Sequence, residues 1–166
     1  MSIILGIDPG SNITGYGVIN SVGNKHQYLD CGVIRVKRSN FASQLQQIFS
    51  GITKIVTLYQ PDEVAIEQVF VNANVNSALK LGQARGAAIV AAASNGQIKF
   101  AEYSPRQVKQ AVVRYGAAAK AQVQHMIKAL LQLSEAPSED AADALAIALC
   151  HAQTRRGLAM IEEQMK

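Results

Sequence analysis

The sequence predicts an α/β fold built on a five-stranded mixed sheet, with helices on both faces. Two observations predict it. The 166-residue chain begins with three strand-like segments separated by short turns, which favours an antiparallel meander. The later segments alternate strand-like runs with helical patterns, in the order β-β-β-α-β-α-β-α-α-α, which favours parallel additions to that meander. In such a sheet we expect the functional side chains at the strand ends.

Apolar runs bounded by turn residues predict the first three strands. They cover 3–8, 15–22 and 26–36, and the turn Pro9-Gly10-Ser11-Asn12 joins the first two. The segment 41–59 then places apolar residues at helical spacing and predicts an amphipathic helix.

Strands and helices alternate in the rest of the chain. We expect strands at 62–68 and 97–102, and a helix of small residues from about 76 to 94. Further helices are predicted from Ser104-Pro105, over 118–133, and from Pro137-Ser138 to about Thr154. Residues 1–157 are expected to form a single domain, followed by a C-terminal tail over 158–166.

The composition is typical of a soluble, folded protein. Hydrophobic residues make up 49% and charged residues 17%, which excludes a disordered chain. No apolar run approaches the ~20 residues of a membrane-spanning helix, and no export signal precedes the first strand. The two cysteines, Cys31 and Cys150, lack the spacing of a metal site. We therefore expect a cytoplasmic protein with no membrane partner.

Positive charge is concentrated in one segment of the chain. Between Lys99 and Lys128 six basic residues face the single acid Glu102, a local charge of +5 against +4 for the whole chain. The basic residues are Lys99, Arg106, Lys109, Arg114, Lys120 and Lys128. Such a segment is either a solvated helix face or a binding surface for a polyanion such as DNA.

Four acidic residues stand where the local pattern does not favour them. Asp8 and Glu67 end predicted strands, although Asp is depleted in strands. Asp140 and Asp143 lie three apart, on one face of a predicted helix that is apolar almost all round. The helix dipole accounts for Asp140 alone, but a second carboxylate beside it costs several kcal/mol unless a cation neutralises both.

A metal site explains the four acids together. If the first and fourth strands are neighbours, Asp8 and Glu67 lie side by side and the helical pair covers them. An oxygen-only set of carboxylates suits Mg²⁺, with Mn²⁺ able to substitute. Two such ions about 4 Å apart can hold a phosphodiester, one activating water and the other stabilising the leaving oxygen. The sequence thus predicts a two-metal phosphodiesterase site.

At these residues the sequence resembles the RuvC family of bacterial Holliday-junction endonucleases, members of the RNase H-like superfamily. The resemblance covers nearly the whole chain in order. Its motifs are GIDPGS and TGYGV within 6–18, AIEQVF at 65–70, SALKLGQARG at 77–86, RQVKQAVV at 106–113, KAQVQHM at 120–126 and DAADALAIA at 140–148.

The resemblance implies a function and a set of site residues. It implies that Asp8, Glu67, Asp140 and Asp143 are the catalytic metal ligands of an RNase H-like endonuclease that resolves four-way DNA junctions. It implies a homodimer that works with the RuvA-RuvB branch-migration complex. The implied DNA-binding residues are Phe70, which would insert at the junction, Lys109 and Lys120, which would hold phosphate, and Arg106 and Arg114, which would neutralise phosphate generally.

Two other functions stay open at this point. One is a YqgF-type relative of the same fold that acts on precursor ribosomal RNA. The other is a module that binds branched DNA without cutting it. An actin-like ATPase is excluded, because its nucleotide cleft needs a second lobe that 166 residues do not provide. His125 and His151 are interpreted as packed or partly exposed histidines, since metal-bound water needs no separate base.

Overall fold

The computed structural model contains a five-stranded sheet in the order β3-β2-β1-β4-β5. Its strands are β1 (Ser2–Asp8), β2 (Ile13–Val22), β3 (Lys25–Arg35), β4 (Glu63–Glu67) and β5 (Lys99–Tyr103). The first three form an antiparallel meander, and β4 and β5 are added parallel to β1. The predicted mixed sheet is therefore confirmed. The structure describes residues 1–69, 74–94, 96, 98–113 and 119–164.

The described residues form helices close to those predicted. They are α1 (Phe41–Tyr59), α2 (Val75–Ala93), α3 (Pro105–Val113), α4 (Lys120–Leu130) and α5 (Glu139–Gln164). The bounds of α1 equal the predicted ones because local signals set them. The Asn40 side chain accepts a hydrogen bond from the Ser43 amide, and Gln60 ends the helix in a left-handed conformation before Pro61.

The last helix is longer than predicted. We expected it to end near Thr154, but α5 continues to Gln164 and crosses the predicted boundary at 157 without a break. An ion pair between Arg155 and Glu63 ties this part of the helix to β4, a long-range contact that the sequence does not reveal. None of the described helices is long and apolar enough to span a bilayer.

The sheet separates two cores. Leu5 and Ile7 of β1 pack toward α1 and α2, in a core that also includes Val64 and Ile66 of β4. The intervening residues point to the other face, where Ile4 packs with residues of α3, α4 and α5. By the same alternation Asp8 and Glu67 lie on the α5 face.

Glycines in β1 and β2 allow α5 to lie directly on the sheet. A Cβ atom at Gly6 would come 2.1 Å from the carbonyl oxygen of Ala144, and one at Gly17 would come 2.7 Å from the Leu145 side chain. Gly6 and Gly17 are cross-strand partners, so together they form one flat seat for the helix. Contacts this short exclude any larger residue without a shift of the α5 backbone.

A buried polar cluster fixes the middle of α5, at the edge of the sheet where β1 and β4 begin. The Glu63 carboxylate accepts hydrogen bonds from Ser2 Oγ at 2.6 Å and from His151 Nε2 at 2.7 Å, and it pairs with Arg155. His151 Nδ1 lies 2.8 Å from the Tyr103 hydroxyl. Since each buried polar group here has a partner, the cluster locks α5 to β1, β4 and β5.

The seat of α5 leads to a stability prediction. Gly6→Ala should lower the free energy of unfolding by about 1–3 kcal/mol or more, because the new methyl group must push the α5 backbone away. Gly157→Ala is the matched control. It adds the same methyl group to an exposed part of α5 with no atom within 4 Å, and should raise stability by up to about 1 kcal/mol. Urea unfolding measures both changes in stability. Equal effects of the two substitutions would contradict the close contact between Gly6 and the α5 backbone.

Candidate active site

Two adjacent parallel strands bring Asp8 and Glu67 together. Asp8 is the last residue of β1 and Glu67 the last of β4. The strands pair in parallel with Ile7 opposite Ile66, so the next residue of each strand leaves the sheet at the same edge. Both residues also point to the α5 face. The predicted metal site required β1 and β4 to be neighbouring strands, and the structure meets this condition.

The first turn of α5 lies over the same edge. Asp8 pairs with Gly15 of β2, and a Cβ atom at Gly15 would come 2.1 Å from the Asp140 carbonyl oxygen. The absence of a side chain at Gly15 thus lets Asp140 lie beside Asp8. Asp143, three residues further on, projects from the same side of the helix. One edge of the sheet therefore gathers all four predicted acids.

The pKa of Asp8 reflects the close approach of the other acids. Burial, together with the negative charges of Glu67, Asp143 and Asp140, raises the pKa of the Asp8 carboxyl to about 8, although Lys120 opposes the shift. A carboxyl group with such a pKa is largely protonated at neutral pH when no cation is present. The edge therefore holds more negative charge than the protein compensates.

Glu67 and Asp143 behave in the same way, with two lysines acting against the shift. Burial and the charge of Asp143 raise the pKa of Glu67, whereas Lys109 and Lys120 lower it. Burial also raises the pKa of Asp143, and the same two lysines oppose this. The two lysines that the sequence singled out thus lie within electrostatic reach of the acids.

The other predicted DNA-binding residues have separate outcomes. Arg106 is exposed on α3, three residues before Lys109. Phe70 and Arg114 lie outside the described residues. His125 is exposed on α4, and His151 belongs to the cluster at the opposite edge of the sheet.

Two residues near the acids were not predicted from the sequence to belong to the site. Glu139 forms an ion pair with Lys120 and raises the pKa of Asp143. Arg85 of α2 reaches the end of β4, where its Nε donates to the Glu67 carbonyl oxygen at 3.1 Å and its Nη2 lies 2.7 Å from Glu102 Oε1. The only sequence signals were an acid in the first turn of α5 and a base within a small-residue helix.

The donor set suits a hard divalent cation. The four carboxylates offer only oxygen, are partly buried, and carry uncompensated negative charge. Within the described ranges, however, no three His, Cys, Asp or Glu side chains are already arranged to hold an ion.

The sheet order and the acids at its edge define the class: an RNase H-like α/β protein with a carboxylate site. Residues 4–151 match the family model described as crossover junction endodeoxyribonuclease RuvC. The chain therefore belongs to the RuvC family of crossover junction endodeoxyribonucleases. Both the resemblance and the nuclease class predicted from the sequence are confirmed.

Relatives of the same description are similar over almost their whole length. The RuvC of Pseudoalteromonas atlantica is 57% identical over 166 residues, which cover 100% of this chain and 95% of that protein. The RuvC of Marinobacter nauticus is 60% identical over 158 residues, covering 95% of this chain and 90% of the relative.

Solved structures agree with this assignment. T. thermophilus RuvC in complex with Holliday junction substrate superposes with a TM-score of 0.86 at 34% identity, covering 94% of this chain and 96% of that one. The yeast mitochondrial Holliday junction resolvase Ydc2 superposes with a TM-score of 0.67, covering 93% of this chain and 80% of that one. At 14% identity the second comparison shows a common fold alone.

The raised pKa of Asp8 predicts how the stability of the metal-free chain depends on pH. The folded-state pKa of about 8 exceeds the ordinary aspartate value of 3.8, so the folded state holds an extra proton between these limits. Stability should therefore rise as pH falls from about 8 to about 5, by roughly 4 kcal/mol from this group. Asp8→Asn should remove that rise and stabilise the chain at neutral pH.

Urea unfolding in EDTA across this pH range measures the effect. Glu135→Gln, which neutralises an exposed acid between α4 and α5, is the control and should leave the pH dependence unchanged. An Asp8→Asn chain with the same pH dependence as the unaltered chain would contradict the proposed burial of negative charge.

Proposed function

We propose that this chain resolves four-way DNA junctions in recombination and repair by paired, symmetric nicks that leave 5′-phosphate and 3′-hydroxyl ends. The observation that carries the proposal is the group of four carboxylates at one edge of the sheet, with two lysines beside it, in a chain of the RuvC family. T. thermophilus RuvC, which is similar over 94% of this chain, was solved with a Holliday junction substrate. Because an endonuclease of this family acts on DNA, we infer a cytoplasmic site of action.

Asp8, Glu67, Asp140 and Asp143 would hold the metal, with two Mg²⁺ ions per site and Mn²⁺ as a substitute. When bound, the ions activate a water and stabilise the leaving oxygen of the phosphodiester. Asp8, which holds a proton at neutral pH without a cation, would lose that proton when it binds one. The raised pKa values therefore support cation binding at this edge.

Lys109 and Lys120 would position the substrate. Each side chain lies close enough to the acids to lower the pKa values of Glu67 and Asp143. A phosphate held by the lysines would therefore lie beside the acids, at the reacting position. Lys120 is exposed and pairs with Glu139, so binding DNA means exchanging that carboxylate for a phosphate. Arg106, Arg114 and Phe70 stay proposals for contacts with the rest of the junction.

A homodimer is the proposed assembly, because symmetric nicks need two sites. Helix α2 offers a face for it. Val75, Leu79 and Val90 are about 60% exposed and lie on the side of the helix opposite its buried alanines. Gly82 and Gly86 lie on the same side with open space above them, so a second helix could approach closely. RuvA-RuvB remains a partner proposed from the family resemblance.

Cleavage of a mobile four-way DNA junction tests the function. The unaltered chain should make paired nicks in Mg²⁺ and none in EDTA, and should leave linear duplex and structured RNA uncut. Asp143→Asn should lose about a hundredfold or more in rate while still binding the junction, since the lysines remain. Glu135→Gln should cut normally. Junction binding without nicks in Mg²⁺ or Mn²⁺ would favour a non-cleaving module, and preferential cleavage of RNA a YqgF-type activity.

The proposed interface on α2 predicts that a charged substitution there will change the mass of the assembly. Leu79→Glu should convert the dimer to a monomer, because it buries a charge at the proposed interface. Leu58→Glu is the matched control on α1, where Leu58 is 72% exposed and lies away from that face. Sedimentation equilibrium measures both. A dimer that persists in Leu79→Glu would place the interface elsewhere.

A further inference from the structure

A polar cleft, separate from the four acids, lies at the same edge of the sheet. It has a volume of about 480 Å³ and opens between the start of α1 and the first turns of α2. Three segments supply most of its polar lining. They are the β1–β2 turn with Ser11 and Asn12, the segment before α1 with Arg38 and Ser39, and the start of α2 with Ser77 and Lys80. We refer to it as the Arg38–Lys80 cleft.

The strand directions determine where this cleft lies relative to the acids. Strand β3 is antiparallel to β2, which is antiparallel to β1, so β3 ends at the edge where β1 and β4 end. Arg38 follows β3 by three residues. The cleft is formed by α1 and α2, which cover one face, whereas the acids and the lysine-bearing helices α3 and α4 belong to the other.

The charge of the cleft is positive and uncompensated. None of its described lining residues is acidic. Arg38 and Lys80 are exposed, and neither forms an ion pair with any residue that the structure describes. The hydroxyl groups of Ser11, Ser39 and Ser77 add hydrogen-bond donors. Cations combined with hydroxyl and amide donors are the groups that contact the phosphates of a nucleic acid.

We propose that the Arg38–Lys80 cleft binds backbone phosphates of the junction DNA on the side of the scissile bond opposite Lys109 and Lys120. This rests on the proposed function, since it assigns a second contact to the same substrate. The strand passes around the edge of the sheet, from the lysines on one face, across the four acids, to the cleft on the other. Positive charge on both sides offsets the repulsion between the acids and the DNA.

The salt dependence of junction binding tests the proposal. We would compare the full-length chain with Arg38→Gln/Lys80→Gln in EDTA, where no cleavage occurs. Loss of two phosphate contacts should weaken binding about tenfold and reduce the slope of log K against log salt by about 2. The matched control is Lys25→Gln/Lys54→Gln, which removes the same charge from exposed positions outside the cleft, and its slope should change by less than about half of that.

Phosphate ethylation interference locates the contact. The Arg38→Gln/Lys80→Gln variant should lose interference at phosphates on one side of the cleavage position, whereas Lys109→Gln should lose it on the other. Equal slopes in the two double variants, or unchanged interference in Arg38→Gln/Lys80→Gln, would overturn the proposal. Failure of the unaltered chain to bind the junction at all would instead contradict the proposed function.

Discussion

The structure depends on the direct contact of α5 with three glycines of the sheet. Gly6, Gly15 and Gly17 present backbone where other residues would present a Cβ atom, and the α5 backbone occupies that space. The helix is thereby held in one register against β1 and β2. Because its first turn ends above the sheet edge, this single contact decides where Asp140 and Asp143 lie relative to Asp8.

Helix α5 meets acids at both ends of strand β4, with opposite results. Burial would raise the pKa of Glu63 at the start of β4, but hydrogen bonds from Ser2 and His151 and the charge of Arg155 outweigh it, so the pKa is lowered. At the end of β4 the pKa of Glu67 is raised, by burial and by Asp143. One end is electrostatically complete and holds the fold together. The other is incomplete, which costs stability and is the usual condition of a site that awaits a ligand.

The proposed route of the DNA follows from the same asymmetry. An edge that carries four carboxylates repels a polyanion, so cations must lie nearby for the substrate to approach at all. Lys109 and Lys120 supply them on the α5 face, and the Arg38–Lys80 cleft offers them on the other. A strand that passes from one face of the sheet to the other would therefore meet cations on both sides of the acids.

The sequence by itself determined most of the fold, because its signals were local. Apolar alternation and turn residues predicted the strands, and Asn40 and Pro61 bounded α1 at its observed ends. It also determined which four acids needed explanation, since Asp8 and Glu67 ended strands and Asp143 stood beside Asp140 on an apolar helix. The family motifs then supplied the nuclease class.

Only the tertiary structure decided how these residues meet. Helix α5 is tied to β4 by Arg155 pairing with Glu63, a residue 92 positions earlier in the chain. Arg85, Glu139 and the Arg38–Lys80 cleft became visible only when separate segments came together at one edge. The physical reason is the same in each case: periodicity and capping act over a few residues, whereas the charge balance of a site is the sum over every element packed around it.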